Sequence, residues 1–205
     1  MMSAYESCAL AGANDAGQPL VMTIQGLQAR TDLNGQRAEV LRSRSGAQRW
    51  DIKVLGTGEE AAIKPANLVV KACRVLANYG GWHTVELAAH EHADVLERGD
   101  RAPVLASCGL NLWVKPEARS SSDNQAICWL MIEADSGFAP MKWQSSVGHC
   151  VVARATGDFT GPNFTLVNDY CSKLIDIYGE GDGPPGSRWI SPAGFQSFIR
   201  RQLDS

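Results

Sequence analysis

Between Val21 and Val70, apolar and polar residues take alternate positions. Ala38, Val40, Trp50, Ile52, Val54, Ala61 and Ile63 share one phase, and Arg37, Glu39, Arg42, Arg49, Asp51 and Lys53 lie between them. A period of two is that of a strand that buries one face. It predicts strands over Val21–Gln25, Arg37–Arg44, Gln48–Leu55 and Glu59–Lys64, separated by turn signals at Asn34-Gly35, Ser45-Gly46 and Gly56-Thr57-Gly58. Pro65 has no N–H and stops the last of these ladders. With Val69–Leu76 as a further strand or short helix, about five strands fit into this stretch. So small a sheet is stable only if it curls around a core or packs on another element. The expectation is a closed, small antiparallel barrel over residues 21–76.

The pattern then changes. Asn78-Tyr79-Gly80-Gly81 predicts a hinge, and Thr84 caps a helix over Val85–Arg98 that Gly99 closes. Pro103–Ala106 and Leu110–Lys115 are expected as strands. Gln125–Glu133 is apolar on both faces, which predicts a central strand, and His149–Ala155 predicts another. Phe164, Val167, Cys171, Leu174 and Tyr178 recur at three and four residues, the stripe of a helix over Pro162–Tyr178 capped by Thr160. Gly179–Ser187 is rich in Gly and Pro and predicts a connector. A final helix opens at Ser191-Pro192 and carries Phe195, Phe198 and Ile199. Residues 77–205 are therefore expected as an α+β domain, an antiparallel sheet with helices on one face. Residues 1–20 lack a basic start and an apolar run and are expected as a flexible lead.

Several motifs in the first part carry a resemblance: Gly26-Leu27, Asp32-Leu33-Asn34-Gly35, Ala38-x-Val40, Arg49-Trp50-x-Ile52 and Ile63-Lys64-Pro65-x-Asn67-Leu68. Together they resemble the SH3-like barrel module of algal and other eukaryotic proteins, where it is often joined to ankyrin repeats or a MYND-type zinc finger. The resemblance covers about a quarter of the chain. Neither a paired Cys-x-x-Cys site nor a repeat of ankyrin period accompanies it here. A second segment, with Asp123-Asn124-Gln125, Ile132, Ser136-Gly137-Phe138-Ala139-Pro140, Trp143-Gln144-Ser145 and Val147-Gly148, is similar to a segment of uncharacterised fungal and algal proteins. Neither resemblance implies catalytic residues.

Composition changes this picture little. The 205 residues are 44% hydrophobic and 20% charged, which is ordinary for a folded chain. No apolar run approaches the ~20 residues of a membrane-spanning helix, so no membrane span is expected. Six cysteines, at 8, 73, 108, 128, 150 and 171, are too unevenly spaced for a disulfide framework. They predict thiols in a reducing, intracellular compartment, cytoplasmic or nuclear. The net charge of −3 is uneven: Val21–Arg74 holds nine Lys/Arg against five Asp/Glu, and the remainder ten against seventeen. A basic barrel opens a nucleic-acid reading. Interspersed signs are, however, the usual state of a solvated surface.

Three sites could carry chemistry. His90-Glu91-His92, with His83 nearby, invites a metal, but His90 and His92 diverge by about 200° on a helix, where metal ligands are four residues apart, so a solvated helix face is expected. No metal and no cofactor are expected. His149-Cys150 with Asp158 holds the ingredients of a thiol nucleophile, yet neighbours on a strand face opposite ways. The stretch 135–148 mixes Phe138 and Trp143 with Lys142, Gln144, Ser145 and Ser146, the composition of a recognition loop or of aromatic core plugs. In the barrel only Trp50 could serve an aromatic cage or proline groove, and its phase turns it inward. Loop 30–35 and Arg42, Arg44 and Arg49 are left to meet a protein.

The leading expectation is a non-catalytic binding or scaffolding subunit of a larger protein assembly. Its contacts would be Arg42, Arg44, Arg49, Phe138, Lys142, Trp143 and Gln144. The alternative is a hydrolase or transferase using Cys150 or a site around Asp123, Asn124 and Trp143. A nucleic-acid binder stands third.

Overall fold

The computed structural model describes residues 19–43, 48–78, 80–107, 110–118, 122–133, 139–144 and 147–178, with backbone alone at 104, 107 and 144 and over 171–178. The chain is α+β, with mostly antiparallel strands and short helices. It divides into two compact units, and the first draws on three separate stretches: residues up to Cys73, Thr84–Gly99 and Ala153–Phe159. A boundary at residue 76 would place the latter two stretches elsewhere.

In the first unit, β1 (Val21–Ile24), β2 (Arg37–Arg42), β3 (Trp50–Val54), β4 (Glu60–Ile63) and the residues up to Cys73 of β5 (Leu68–Leu76) run in the spatial order β4-β3-β2-β1-β5. The ladders β1/β2, β1/β5, β2/β3 and β3/β4 are antiparallel. The predicted phase holds: Ala38, Val40, Trp50, Ile52, Val54 and Ile63 are buried, and Ala61 is half-buried. Burying a side chain such as Ile52 is worth about 1.5–3 kcal/mol. Gly35 takes a φ of +83°, the left-handed conformation that lets the chain reverse into β2.

The expected closure into a barrel is not found. Among the described residues β4 pairs with β3 alone, and the sheet ends there as an open edge. The cause is local. A one-turn 3-10 helix at Pro65–Asn67 follows β4, and β5 continues from it to pair with β1.

The helix of this unit, α1 (Ala89–Arg98), begins later than predicted, because Gly81–Ala88 is a strand, β6, paired with β5. Asn78 and Gly80 lie in turn conformation between β5 and β6, and Asn78 has a φ of +55°. Glu91 reaches back to accept from the Ala88 N–H at 2.8 Å, and that bond fixes where α1 starts. Ala89, His92, Val95 and Leu96 form its buried face, and α1 packs on the Pro65–Asn67 turn.

Residues 153–159 are sewn into the first unit at several points. The Val21 N–H donates to the Thr156 carbonyl, and the Phe159 N–H to the Lys71 carbonyl at 2.7 Å. The Lys71 N–H donates to Asp158 Oδ1 at 2.8 Å, and Arg37 Nη1 lies 3.1 Å from Asp158 Oδ2. His92 Nε2 donates to the Arg154 carbonyl at 2.7 Å. A Cβ on Gly157 would sit 3.0 Å from the Val21 carbonyl oxygen, a close approach that only glycine permits.

The second unit holds β7 (Asp100–Arg101), β8 (Leu112–Pro116) and the first residues of β9 (Cys150–Arg154), in the order β9-β8-β7. Two expected strands are helices. Pro103–Ser107 is α2, with Pro at its first position, and Gln125–Leu130 is α3, capped by Asn124, whose Oδ1 accepts from the Ile127 N–H. The single turn Met141–Gln144 is α4, and Gly161–Tyr178 is α5, one residue longer than predicted. α3 packs on both; of the expected stripe of α5 Val167 is buried and Phe164 is exposed, Leu166 and Tyr170 are buried beside them, and the side chains of Cys171, Leu174 and Tyr178 lie outside the described residues. The Tyr170 hydroxyl donates to the Trp129 carbonyl at 3.2 Å. The expected lead, connector and final helix lie outside the described residues, save for the last two positions of the lead.

No helix among the described residues is long and apolar enough to cross a membrane.

Candidate docking site

The open edge of β4 has a definite polarity, set by the ladder beside it. The Val54 N–H donates to the Glu59 carbonyl, which marks that pair as one that exchanges hydrogen bonds. Stepping by two along the register, Ile52 opposite Ala61 and Trp50 opposite Ile63 are bonded pairs as well. Asp51 opposite Ala62 and Lys53 opposite Glu60 are the non-bonded ones. The backbone N–H and C=O groups of Glu60 and Ala62 therefore point away from β3, toward the open side.

A cleft of about 430 Å³ reaches this edge, lined by Leu41 and Arg42 of β2, Asp51 of β3 and Glu60, Ala61 and Ala62 of β4. Its inner wall owes its shape to an irregularity in β2. The register slips between Val40 and Arg42, so Leu41 is an extra residue and is left 36% exposed. Arg49 reaches across from the start of β3, and its Nη1 donates to the Ala62 carbonyl at 2.8 Å. That guanidinium covers one of the outward-facing carbonyls. Below the edge, Arg30 bridges Asp32 and Glu59, each at 2.9 Å. Hydrogen bonds from Arg30 hold both carboxyls below their usual range. This triad ties the 30–33 turn to the residue that leads into β4.

The sheet register also distributes the charge. On the solvent face Arg42 stands opposite Asp51, and Lys53 stands between Glu39 and Glu60. Every cation of these two rows has a carboxylate beside it, so the excess of Lys/Arg in this part of the sequence makes no continuous basic face here.

Of the seven expected contact residues, Arg42 and Arg49 come together at this cleft. Arg44 and Phe138 lie outside the described residues, as does the side chain of Gln144. Lys142 is exposed and bound to Asp100 at 2.5 Å. Trp143 is corrected: it is 2% exposed, its indole N–H donates to Asp100 Oδ2 at 2.8 Å, and its carbonyl accepts from the Cys128 thiol at 2.7 Å. Its ring faces the interior and is closed to a partner.

The other sites separate just as clearly. Cys150 is fully buried, and burial, with Glu117 adding to it, pushes its thiol up to about 12. His149 turns its Nδ1 to the Ala77 N–H at 3.0 Å. A thiol so protonated and enclosed is a poor nucleophile. Cys150 is accordingly expected to resist a thiol reagent at pH 8 in the native protein and to react only as urea unfolds the chain; fast native labelling at that position would contradict this. His92 is buried, His90 is exposed, and His83 donates back to the Gly80 carbonyl. No group of three or more His, Cys, Asp or Glu side chains is placed to hold a metal among the described residues.

Asn124, a member of the alternative enzyme site, is a structural tie. Its amide donates to the Val75 carbonyl at 3.2 Å and the Gly148 carbonyl at 2.8 Å while its oxygen caps α3. It borders a smaller cleft of about 190 Å³ with Val75, Leu76, Trp82 and Ala126, and its polar groups are already engaged. No known family profile, curated protein or solved structure matches this chain.

Proposed function

We propose that this chain is a non-catalytic binding subunit that takes up an extended segment of a partner protein along the open edge of β4. The observation that carries the reading is the pair of outward-facing backbone sites on Glu60 and Ala62 beside a cleft of about 430 Å³. A strand added there gains main-chain hydrogen bonds, and the cleft accepts its side chains. The SH3-like identity of the first unit belongs to the same reading. It is supported by five consecutive antiparallel strands in which β1 pairs with both β2 and β5. Exposed Met141 and Lys142 offer a further contact surface within the stretch 135–148.

Selection of linear peptides from a displayed library on the full-length chain tests this. Recovered peptides are expected to slow amide exchange at Glu60 and Ala62 and to bind at least ~10-fold more weakly to Ala62→Pro. That substitution deletes an outward N–H without removing a bond to β3. Peptides that leave β4 exchange unchanged, or that bind Ala62→Pro as well as the parent, would sink the reading.

A further inference from the structure

The edge of β4 also specifies what kind of strand it would pair with, an inference that rests on the docking reading above. In an antiparallel pair, side chains directly opposite each other lie about 4.5–5.5 Å apart at Cβ, so each edge position selects its neighbour. Glu60 and Ala62 put their side chains on the solvent face, in the rows of Lys53 and Asp51. Along the Glu60 row the order is Glu39, Lys53, Glu60. The register sets Lys53 between two carboxylates, and the outer one stands at the open edge. A cation in the next strand continues the alternation, and an anion there meets Glu60 unopposed.

The position opposite Ala62 has the contrary preference. Ala62 contributes only a methyl group, and the Asp51 carboxylate behind it already faces Arg42, so the cation a partner meets there is the Arg49 guanidinium resting on the Ala62 carbonyl. A carboxylate in that place gives Arg49 a new partner and draws it off the carbonyl, which frees that oxygen for the incoming N–H. Ala61, between the two, faces the other way and is half-buried, so it suits a small or β-branched apolar neighbour.

We infer that the occupant of this edge is an antiparallel segment of a partner protein with the sequence pattern acidic–apolar–basic: its carboxylate lies opposite Ala62 against Arg49, and its cation lies two residues later opposite Glu60. A second copy of this chain satisfies half of the pattern. Pairing β4 with itself about Ala61 sets Glu60 of one copy opposite Ala62 of the other, but leaves only Ala62 facing Glu60.

The test uses the full-length chain and two synthetic heptapeptides, Thr-Val-Glu-Val-Lys-Val-Thr and its charge-reversed form Thr-Val-Lys-Val-Glu-Val-Thr, titrated by calorimetry with amide exchange at Glu60 and Ala62 as the location readout. The acidic-first peptide is expected to bind about tenfold tighter, and the gap is expected to narrow at high salt, as for any exposed charge pair. The double variant Arg49→Glu/Glu60→Lys should invert the preference. Equal affinity of the two peptides, with β4 amides protected by both, overturns the charge pattern and leaves edge docking standing. Failure of every peptide, library-selected or synthetic, to protect β4 overturns both. Sedimentation of the free chain completes the comparison: concentration-dependent dimers abolished by Ala62→Pro would make a second copy the occupant and reject the pattern.

Discussion

Replacing Trp143 by Ala is expected to destabilise the protein by about 3–5 kcal/mol, the range for emptying a large aromatic site in a packed interior. The size follows from burial, since the ring is 2% exposed and the cavity it leaves is bounded by packed chain. The indole N–H to Asp100 contributes a smaller share. Asp100 keeps Lys142 as a partner and is about one-third exposed, so water can replace the lost donor. Trp143→Phe separates the two effects: it retains most of the apolar volume, deletes the N–H, and should cost no more than about 1–2 kcal/mol. Urea unfolding followed by far-UV circular dichroism measures both. If Trp143→Ala left the midpoint in place and weakened binding of a partner, Trp143 would be a contact residue and not a core one.

That contrast bears on what the sequence could reveal. Phe138 and Trp143 lie in a stretch of mixed composition, and composition alone does not distinguish a recognition loop from a plug. What decides for Trp143 is a residue far away in sequence, Asp100, that receives the indole N–H. The strands of the first unit were legible because their alternation is a local signal: Trp50, Ile52 and Val54 had to face one way once a strand was granted. Closure of the barrel was not local. Whether β4 finds a second neighbour depends on where β5 pairs, and β5 pairs with β1. The same non-local fact makes β4 an edge, so the docking site was visible as a strand and Arg49 as an exposed cation, without the outward polarity of Glu60 and Ala62.

The misread elements share a cause. Gln125–Glu133 and Pro103–Ala106 are short apolar runs, for which period cannot separate a buried strand from a buried helix. The signals that decide lay at the boundaries: Asn124 three residues before Ile127, and Pro103 at a first helical position. In the same way Glu91, three residues beyond Ala88, marks the true start of α1, whereas the Thr84 cap belonged to a strand. His92 was legible in a sense left unused. It shares the face of Ala89, Val95 and Leu96 at helical spacing, and a histidine on an apolar face is first of all a buried one.

This buried histidine sets the second large effect, a loss of stability in mild acid. His92 is 0% exposed, and its Nε2 donates to the Arg154 carbonyl, which fixes the neutral tautomer that carries its proton on Nε2. Burial lowers its pKa from 6.5 to about 4, against smaller opposing effects of the Arg154 carbonyl and the Asp158 carboxylate. The folded chain thus resists a proton that the unfolded chain accepts near pH 6.5. The stability His92 confers as a neutral group is complete above that pH and is lost as the pH falls from 6.5 through about 4, after which it declines no further on this account. At 1.36 kcal/mol for each pH unit of separation, the total is about 3 kcal/mol. The structure at stake is the attachment of residues 153–159, since the same segment carries Arg154, Asp158 and the bonds to Lys71 and Val21. His92→Gln isolates the contribution, because a carboxamide can still donate to the Arg154 carbonyl but takes up no proton. The variant should lose about 1 kcal/mol at pH 7.5 and be less sensitive than the parent to acid between pH 6.5 and 4. Comparing the two in urea at each pH cancels the titration of the groups they share. Parallel pH profiles for parent and His92→Gln would show that the acid response arises elsewhere, and the proton would then have to be sought among the carboxylates that Arg30 holds.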